Sequence, residues 1–488
     1  MNSAKPMLCA AVLAALMGVS MPSLAGDKVT DQQLLKLIKQ QAAQIRQLKQ
    51  RLSALEAHEP KSAIRSDATA TARTATPSTD SRSPASLEAL REAQVSAHAQ
   101  ATGSVEWGKY GAAGPTFSSG DGFFTFRPRG RLMEDFTTTW DSSFPERNIS
   151  GARLEAARLG MQGSIGQFGY RLAVDFRGGD THLRQAYLNY TTRLFGNHKT
   201  RFYLGNVLKD IGVDSGSQSA MVPFMIRNAA GTVGEPVNGY FGLGAQMRVY
   251  GADWHYSLSI TGDTPGSSSS GDYSDSVAYV TRAHWNPVKT GSGFMHVGAW
   301  YYYEKIGAGV TRINDTPEIG VKFNRHLHVS ASSIDDPTQD HASGYELGGV
   351  YRNVWVMAEY GKRTIDSSSE GSVHRHGSSL GAGWVITGEK PGFSSHSGTW
   401  HWLHVNRPVT AGGWGAFELV GRVDHYDFHG GAPRGGDGKS YTVGVNWYFN
   451  EWSRVMMDYI RWYTNSQVSS EKGPDWGNSL GMRVQVLF

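Results

Sequence analysis

The chain has 488 residues, a net charge of only +4 and one cysteine. The small charge gives no reason to expect a nucleic-acid partner, and a single thiol excludes an intramolecular disulfide. A mean hydropathy of -0.39 is typical of soluble proteins, but transmembrane β-barrels have similar averages, because lipid-facing and lumen-facing residues alternate along their strands.

Residues 1–25 are predicted to form a secretory signal peptide. Lys5 supplies the positive charge, residues 8–19 the apolar stretch, and residues 23–25 a small-residue cleavage site. Cys9 lies in this segment, so the exported chain is expected to carry no thiol for a disulfide or a metal site. The alternative that Cys9 carries a lipid is weak, because the apolar stretch follows the cysteine instead of preceding it.

The segment 26–59 has the spacing of a short coiled coil. Its seam positions recur at alternating intervals of four and three residues: Leu34, Ile38, Gln41, Ile45, Leu48, Leu52 and Leu55. A seam this short needs a partner helix, so association is favoured over a single amphipathic helix packed on a domain. The polar Gln41 leaves both a dimer and a trimer open. Residues 60–119 are rich in Ala, Ser and Thr and are predicted to be a flexible linker.

Residues 120–488 are predicted to be an all-β domain. In residues 254–261, for example, Tyr256, Leu258 and Ile260 point to one side and their polar neighbours to the other. The same alternation predicts strands at residues 170–176, 241–250, 277–285, 319–323, 441–449 and 480–488. A soluble β-sandwich would also alternate, but the predicted signal peptide, 14 Trp and 21 Tyr favour a transmembrane antiparallel β-barrel.

The last predicted strand ends the chain with an apolar face. Leu480, Met482, Val484, Val486 and Phe488 lie two residues apart and would all face lipid. A carboxy-terminal phenylalanine at this place resembles the sorting signal that the barrel assembly machinery of the outer membrane recognises. We therefore expect Phe488 to be a membrane-assembly signal.

Basic side chains recur on the predicted inner face. Arg127, Arg129 and Arg131 share one strand face, and on the lipid side each would cost ~2–4 kcal/mol at mid-depth, so they are expected to face the lumen. The alternative is a basic patch at the membrane edge that contacts lipopolysaccharide phosphates. The same alternation places further basic residues inward: Arg158, Arg171, Arg248, Arg282, Lys322 and Arg483.

These nine residues are the predicted pore-lining, anion-binding set. Arginine and lysine rings raise the local anion concentration and exclude cations, and the planar guanidinium can bond two oxygens of a phosphate at once. Inward acids are also expected, namely Asp175 near Arg171 and Asp458 near Arg454. Some of the basic side chains are therefore expected to be engaged in salt bridges.

The chain also has 17 histidines, which raise the alternative of an outer-membrane enzyme. Pairs two or three residues apart occur at residues 326 and 328, 374 and 376, and 401 and 404, but no serine or carboxylate accompanies them in a catalytic pattern. They are predicted to be surface or loop residues, and no cofactor, metal or catalytic residue is expected. A third alternative is a structural anchor with a plugged lumen, which would not conduct.

Short motifs along residues 120–488 resemble the phosphate- and polyphosphate-selective porin O and P family. They are, in order, RGRL (129–132), ARLGMQG (157–163), VDF (174–176), AYLNY (186–190), LGN (204–206), ITGE (386–389), WGAFELV (414–420) and NWY (446–448). The resemblance implies a Gram-negative outer-membrane barrel of sixteen strands, a homotrimer with one pore per subunit, and an arginine ladder leading to a lysine-containing constriction.

The resemblance further implies passive uptake of phosphate or polyphosphate, with the coiled coil in the periplasm. The chain departs from the family pattern at three places. It has Glu155 and Ala156 where paired arginines are usual, Gln185 where an aspartate is usual, and Ile226 where the family has an acid before the arginine. Anion preference is therefore expected, and a porin for sugars or peptides stays an alternative.

Overall fold

The computed structural model describes residues 103–108, 114–179, 181–237, 239–265, 275–314, 317–329, 333–431, 435–467 and 471–488. The predicted signal peptide and coiled coil, and most of the predicted linker, lie outside these residues. Two short strands, Ser104–Trp107 and Pro115–Ser118, fall within the segment predicted to be a linker and pair with each other. The second of them also pairs with the first strand of the main sheet.

The main sheet is a closed antiparallel barrel of sixteen strands, as the family resemblance implies. The strands are β1 Phe124–Trp140, β2 Ser150–Ile165, β3 Phe168–Asp175, β4 His182–Leu194, β5 His198–Leu208, β6 Phe241–Tyr250, β7 Trp254–Thr261, β8 Val277–Trp285, β9 Gly293–Lys305, β10 Pro337–Tyr351, β11 Val354–Ser367, β12 Gly371–Val385, β13 Ala416–Gly430, β14 Asp437–Tyr448, β15 Ser453–Ser466 and β16 Gly473–Leu487. Strand β16 pairs with β1 from Asn478↔Trp140 to Leu487↔Arg131, which closes the cylinder and leaves no free edge within it.

The two faces of each strand follow the alternation of the sequence. In β7, Tyr256, Leu258 and Ile260 are 37%, 40% and 51% exposed, whereas His255 and Ser257 are each 1% exposed. The outer face is apolar because it meets lipid, and the inner face is polar. Among the described residues, no helix has the length and apolar character that crossing a membrane requires.

Three long connections are the main departures from a simple barrel. Loop A (residues 209–240) joins β5 to β6, loop B (306–336) joins β9 to β10, and segment C (386–415) joins β12 to β13. Loops A and B leave one end of the barrel, and segment C leaves the opposite end, where the other connections are short. Segment C therefore leaves from the short-turn end, which in outer-membrane barrels is the periplasmic end.

All three connections contribute side chains to the interior. Loop A contains the short helices α1 (Val213–Gly216) and α2 (Ala229–Val233). An apolar cluster inside the barrel joins loop A, loop B and the inner faces of β13 and β15: Ala229, Val233, Ile319, Val321, Leu327, Val329, Tyr426, Phe428, Ile460 and Trp462. Part of the lumen is therefore filled with packed protein.

The predicted strand at residues 319–323 is wrong. These residues belong to loop B, where Ile319 and Val321 are 0% and 2% exposed because they pack on Trp462 and its neighbours. A loop that lies against a wall buries alternate side chains, as a strand does. The period-two pattern of the sequence is therefore real, but it arises from burial on one side of a loop.

Candidate functional site: an arginine-lined cavity

The inner face of β1 carries the three arginines at alternate positions. Arg127 and Arg131 are 2% and 7% exposed, whereas Leu132 and Phe136, on the outer face, are 48% and 41% exposed. The three guanidinium groups therefore project away from lipid. The basic row extends across β2 and β3. In the strand register, Arg131 is opposite Arg158, and Gln162 is opposite both Arg127 and Arg171.

Between this wall and the inserted loops lies an open cavity of about 530 Å3. Seven basic and three acidic side chains line it. Of the predicted set, the cavity brings together Arg131, Arg158 and Lys322; it adds Arg177, Arg184, Arg227 and Arg363, and the acids Glu155, Glu235 and Glu318. The inner face of β1–β5 is called the ladder wall below.

Arg131 lies where the ladder wall meets loop A. Its Nη1 donates to Ser219 Oγ at 3.0 Å and its Nη2 to Gln218 Oε1 at 3.1 Å. Both partners are neutral, and Arg158 and Arg171 are close enough to repel it electrostatically. The charge of Arg131 is therefore not cancelled by a carboxylate of its own.

One carboxylate, Asp175, serves two of the guanidinium groups. Arg158 Nε lies 2.9 Å from its Oδ2, and Arg184 Nε lies 3.5 Å from the same oxygen. Arg184 is the extra residue of a β-bulge in β4, between the partners of Ala173 and Val174, and a bulge turns a side chain out of the regular alternation. The bulge explains why spacing alone did not select Arg184.

A second bulge directs Glu155 into the cavity. The β1–β2 register shifts between Met133 and Glu134, which leaves Glu155 as the extra residue of β2. Its carboxylate lies 2.8 Å from Lys322 Nζ, 3.5 Å from Arg153 Nε and 3.6 Å from Arg177 Nη1. Loop B, and not a strand, brings Lys322 to the cavity. Lys322 is paired there with Glu155.

Loop B adds a second acid to this group. Glu318 lies 3.9 Å from Arg153 Nη1. Burial raises the pKa of the Glu318 carboxyl, and the charges of Lys322 and Arg153 counteract that effect only in part. Its negative charge is therefore more easily lost on acidification than that of an ordinary glutamate.

Arg129 and Arg171 share the ladder wall but have few partners. Arg129 Nη1 donates to Gln162 Oε1 at 3.0 Å, and Arg171 Nε has no hydrogen-bond partner among the described residues. Arg129 also lies close enough to Arg171 and Arg127 to repel them. The part of the ladder wall around Arg127, Arg129 and Arg171 thus carries clustered positive charge.

The remaining members of the predicted set have different surroundings. Arg282 in β8 is 1% exposed and lies 2.7 Å from Glu346 Oε1 and 3.1 Å from Asp210 Oδ1. Arg483 in β16 donates to both carboxylate oxygens of Asp135, at 2.6 and 2.7 Å. These two arginines point inward as expected, but buried carboxylates occupy them.

Arg248 is intermediate between the two groups. It donates to Gln246 Oε1 at 2.9 Å and lies 4.0 Å from Asp210 Oδ2. Burial opposes ionisation of Asp210, but the neighbouring Arg248 and Arg282 hold the pKa of its carboxyl well below the usual range. Asp210, at the start of loop A, is therefore a fixed negative charge between the two arginines.

Inward side chains of β11 and β13–β16 hold loop A in place. This inner face is called the anchor wall below. The side chains of this wall that form hydrogen bonds with loop A are Glu359, Arg422, Asp424, Asn446, Arg454, Asp458 and Gln485. Most of them bond backbone groups of the loop: Arg454 donates to the carbonyls of Ala220 and Val222 at 2.9 and 2.7 Å. These contacts satisfy buried loop backbone that has no regular secondary structure.

Segment C supports loop A from the periplasmic side. Trp400 is 5% exposed; its backbone N–H donates to Ser217 Oγ at 2.8 Å and its Nε1 to Asp214 Oδ1 at 2.7 Å. Arg282 donates to the carbonyls of Ser397 and Gly398 at 3.3 and 2.6 Å. The tip of loop A that meets Arg131 is thus supported by segment C.

Histidines outside the predicted pairs line the contact with segment C. His255, His284 and His296, on three neighbouring strands, are 1%, 2% and 0% exposed, with ring centroids 5.4 and 5.0 Å apart. His396 of segment C stacks on Tyr250 at 4.5 Å. Within the described part of the chain, no group of three or more His, Cys, Asp or Glu residues is arranged to hold a metal ion.

The predicted histidine pairs are spread over the molecule. His326 and His328 lie in loop B and the 401 and 404 pair in segment C, as loop residues. His374 and His376, however, lie in β12 and bond Thr364 and Tyr360 of the neighbouring β11. None of the pairs lines the cavity described above.

The chain ends against β1. Phe488 N–H donates to Gly130 O at 3.0 Å, and Gly130 N–H donates to Phe488 O at 2.5 Å. A side chain at position 130 would collide with the Phe488 ring, since a Cβ there would lie 2.1 Å from it. Glycine at this position is required by the close approach of the terminal ring.

Comparison with known proteins places these features in a family. Residues 126–488 match the family described as phosphate-selective porin O and P. Porin O of Pseudomonas aeruginosa is 22% identical over 407 residues, which are 75% of this chain and 89% of that protein. A protein of Caulobacter vibrioides is 22% identical over 462 residues, which are 91% of this chain and 86% of that protein.

The chain also aligns with solved structures. The anion-selective porin from Comamonas acidovorans aligns with a TM-score of 0.45 and 12% identity, over 75% of this chain and 100% of that one. OmpT of Vibrio cholerae aligns with a TM-score of 0.46 and 12% identity, over 75% of this chain and 98% of that one. The family match covers the whole barrel, so the chain is an outer-membrane channel and not an enzyme: it belongs to the phosphate-selective porin O and P family.

Proposed function

We propose that this porin is anion-selective and that its solutes pass along the ladder wall, through the cavity between that wall and loops A and B. The observation that carries the proposal is the charge around the cavity: seven basic side chains line it against three acidic ones, and basic side chains stay in excess when Asp175, beside Arg158 and Arg184, and Asp340, beside Arg363, are included. Glu155 is already engaged by Lys322, Arg153 and Arg177. A narrow passage with low-dielectric walls concentrates such a field and raises the local anion concentration.

Within this path, the role of the predicted residues differs. We assign the contact with permeating anions to Arg127, Arg129, Arg131, Arg158 and Arg171 on the ladder wall. Lys322 and Arg248 contribute charge from the edge of the path, because Lys322 is held on loop B by Glu155 and Arg248 lies outside the cavity lining, near Asp210. Arg282 and Arg483 contribute to the position of the loops and strands, since carboxylates occupy them.

Phosphate and polyphosphate are the first solutes to test, because the family description names phosphate. The planar forks of Arg131 and Arg158 suit phosphate oxygens. Glu155 and Ala156, which replace the paired arginines usual in the family, remove two positive charges and add one negative charge. Selectivity for phosphate over other anions should therefore be weaker than selectivity for anions over cations.

The test is the reversal potential of the purified protein in planar bilayers, across a potassium chloride gradient with and without phosphate. Anion selectivity predicts a reversal potential of the sign set by chloride, and phosphate should reduce the chloride current. A reversal potential of the opposite sign would refute the proposal. A protein that conducts no current would instead favour the structural anchor. Passage of neutral sugars as readily as anions would favour a general porin.

The functional unit is proposed to be a homotrimer with its coiled coil in the periplasm. The support is the seam of residues 26–59 and the homotrimer that the family resemblance implies. Deletion of residues 27–101 should leave a conducting barrel, because the predicted linker separates two independently folding parts. Chemical crosslinking and conductance of the truncated protein test both points, and a truncated chain that forms no pores would assign the coiled coil to folding.

Phe488 is proposed to be the residue that the barrel assembly machinery recognises. It is 41% exposed at the end of β16, on the side of the barrel where the short turns lie. The change Phe488→Asp should lower the amount of heat-modifiable barrel in the outer-membrane fraction. Unchanged amounts would show that recognition depends on other residues of β16.

A further inference from the structure

The cavity has a second wall whose chemistry differs from that of the ladder wall. Loop A contributes Pro236, Val237 and Tyr240, and loop B contributes Ile313 and Pro317. Val237 is half-buried and packs on the apolar residues of loop B. A solute in the cavity therefore meets guanidinium groups on one side and apolar carbon on the other.

Arg227 and Tyr240 form the most specific part of this second wall. The Arg227 guanidinium carbon lies 4.7 Å from the centre of the Tyr240 ring, and its Nη2 donates to Ser217 O at 3.0 Å. Its Nη1 is buried and has no hydrogen-bond partner among the described residues. The contact of Arg227 with the ring fixes Tyr240, which lines the cavity with Val237.

The size of the cavity also matters. A volume of about 530 Å3 lies within the range of ~300–1,000 Å3 that is usual for sites that bind small organic molecules. Inorganic phosphate is much smaller than this volume. It also gains nothing from the apolar wall, because it has no apolar surface to remove from water.

We propose that the cavity binds organic carboxylates with an apolar body more tightly than it binds inorganic phosphate. The carboxylate group bonds the guanidinium groups of Arg131 and Arg158, and the apolar body lies against Val237 and Tyr240. The inference rests on the proposed anion selectivity and adds a preferred solute class to it.

The test uses full-length protein in planar bilayers with two carboxylates of equal charge, acetate and phenylacetate, and inorganic phosphate as the third probe. Each is added to a chloride solution, and the concentration that halves the chloride current is measured. Phenylacetate should act at a concentration roughly tenfold or more below that of acetate, the factor expected when an aryl ring is partly removed from water. It should also act below phosphate.

A variant identifies the apolar wall as the cause. Val237→Ser removes apolar surface and leaves every charge in place, so the half-blocking concentration of phenylacetate should rise several-fold while that of acetate stays constant. The matched control is Val409→Ser, since Val409 is 40% exposed in segment C and does not line the cavity. The control should change neither value.

The outcomes separate this inference from the proposed function. Equal half-blocking concentrations for acetate and phenylacetate, or phosphate as the strongest blocker, overturn the inference and leave anion selectivity intact. Equal effects of Val237→Ser on acetate and phenylacetate overturn it as well. A chloride gradient that gives a cation-selective potential overturns the proposed function instead, and the inference with it.

Discussion

Arg131 and Arg282 occupy equivalent positions on the inner face of the same barrel, yet their surroundings are opposite. Arg131 donates to the neutral Gln218 and Ser219 and borders an open cavity. Arg282 is enclosed by Glu346, Asp210 and two carbonyls of segment C. The comparison teaches that an inward arginine enclosed by carboxylates and loop carbonyls is committed to the structure, whereas an arginine with neutral partners beside a cavity keeps its charge available to a solute.

The largest effect is expected from Arg282. Its replacement in Arg282→Met leaves Asp210 and Glu346 buried with less positive charge, and loss of one partner of a buried ion pair typically costs ~3–5 kcal/mol. We expect less heat-modifiable barrel and a lower unfolding temperature in detergent. Arg184→Met is the matched control, because Arg184 borders the cavity and Asp175 keeps Arg158 as a partner; a control that destabilises the barrel as strongly would remove the distinction between enclosed and cavity-facing arginines.

The next effect concerns selectivity. In the triple variant Arg127→Gln, Arg129→Gln and Arg131→Gln, the barrel should assemble, and the reversal potential in a salt gradient should move toward cation preference. A unit charge at 4 Å contributes ~1 kcal/mol in water, so each lost charge should lower the partitioning of anions into the pore and raise that of cations, each by roughly fivefold or less. The shift should be larger at low salt, where screening is weaker.

The alternative position of these arginines, at the membrane edge, makes a different forecast for the same variant. Lipopolysaccharide contact or barrel stability would change while the reversal potential would stay that of the unaltered protein. A triple variant that assembles normally and keeps that potential at low salt would remove the three residues from the solute path.

A smaller effect is expected from Trp400, which links segment C to loop A. Trp400→Phe keeps the aromatic packing on Trp355, whose ring centre is 4.7 Å away, but removes the donor to Asp214. A hydrogen bond to a charged group contributes ~1.5–3 kcal/mol, so the tip of loop A should be less well fixed. We expect a noisier open-channel current with unchanged ion selectivity; a current as quiet as that of the parent protein would contradict the link.

The smallest effect is a dependence on pH. Burial, together with Lys199, Lys289 and Arg201, lowers the pKa of His396. His396 is therefore more readily neutral when segment C is docked, that is, packed against the barrel strands. When the pH falls below the ordinary histidine value of ~6.5, the undocked segment binds the proton more readily, and docking should weaken. Protease cleavage within segment C should become faster at pH 5 than at pH 7.5, and His396→Gln should reduce the difference; an equal difference in that variant would assign it to other groups.

The sequence allowed the faces of the strands to be predicted, because lipid imposes an apolar outer side on residues such as Leu258 and Ile260. It did not allow the partner of an inward arginine to be predicted. Arg282 and Glu346 are 64 residues apart, and only the register of β8 to β10 brings them together. Period and spacing say where a side chain points, but closure of the barrel decides what it meets.

Most of the cavity residues that spacing missed lie in irregular backbone; Arg363, on the inner face of the regular strand β11, is the exception. Arg184 is the extra residue of a bulge, Arg177 follows β3 in a short connection, and Arg227 lies in loop A. Alternation applies only to regular strands, so it carries no information at these positions. The broken alternation around Arg184, between Leu183 and Gln185, was the one available signal.

Strand β16 takes part in two events that are usually considered separately. Through Arg483 and Asp135 it joins β1, and through Gln485 Nε2, 2.9 Å from Ala220 O, it holds loop A. The same strand therefore closes the barrel and forms a hydrogen bond with loop A inside it. If loop A were misplaced, Gln485 and the neighbouring Arg454 would face the water of the lumen, and the backbone of loop A would lose the partners that hold it. Closure of the barrel and placement of loop A are thus coupled, because one strand makes the contacts of both.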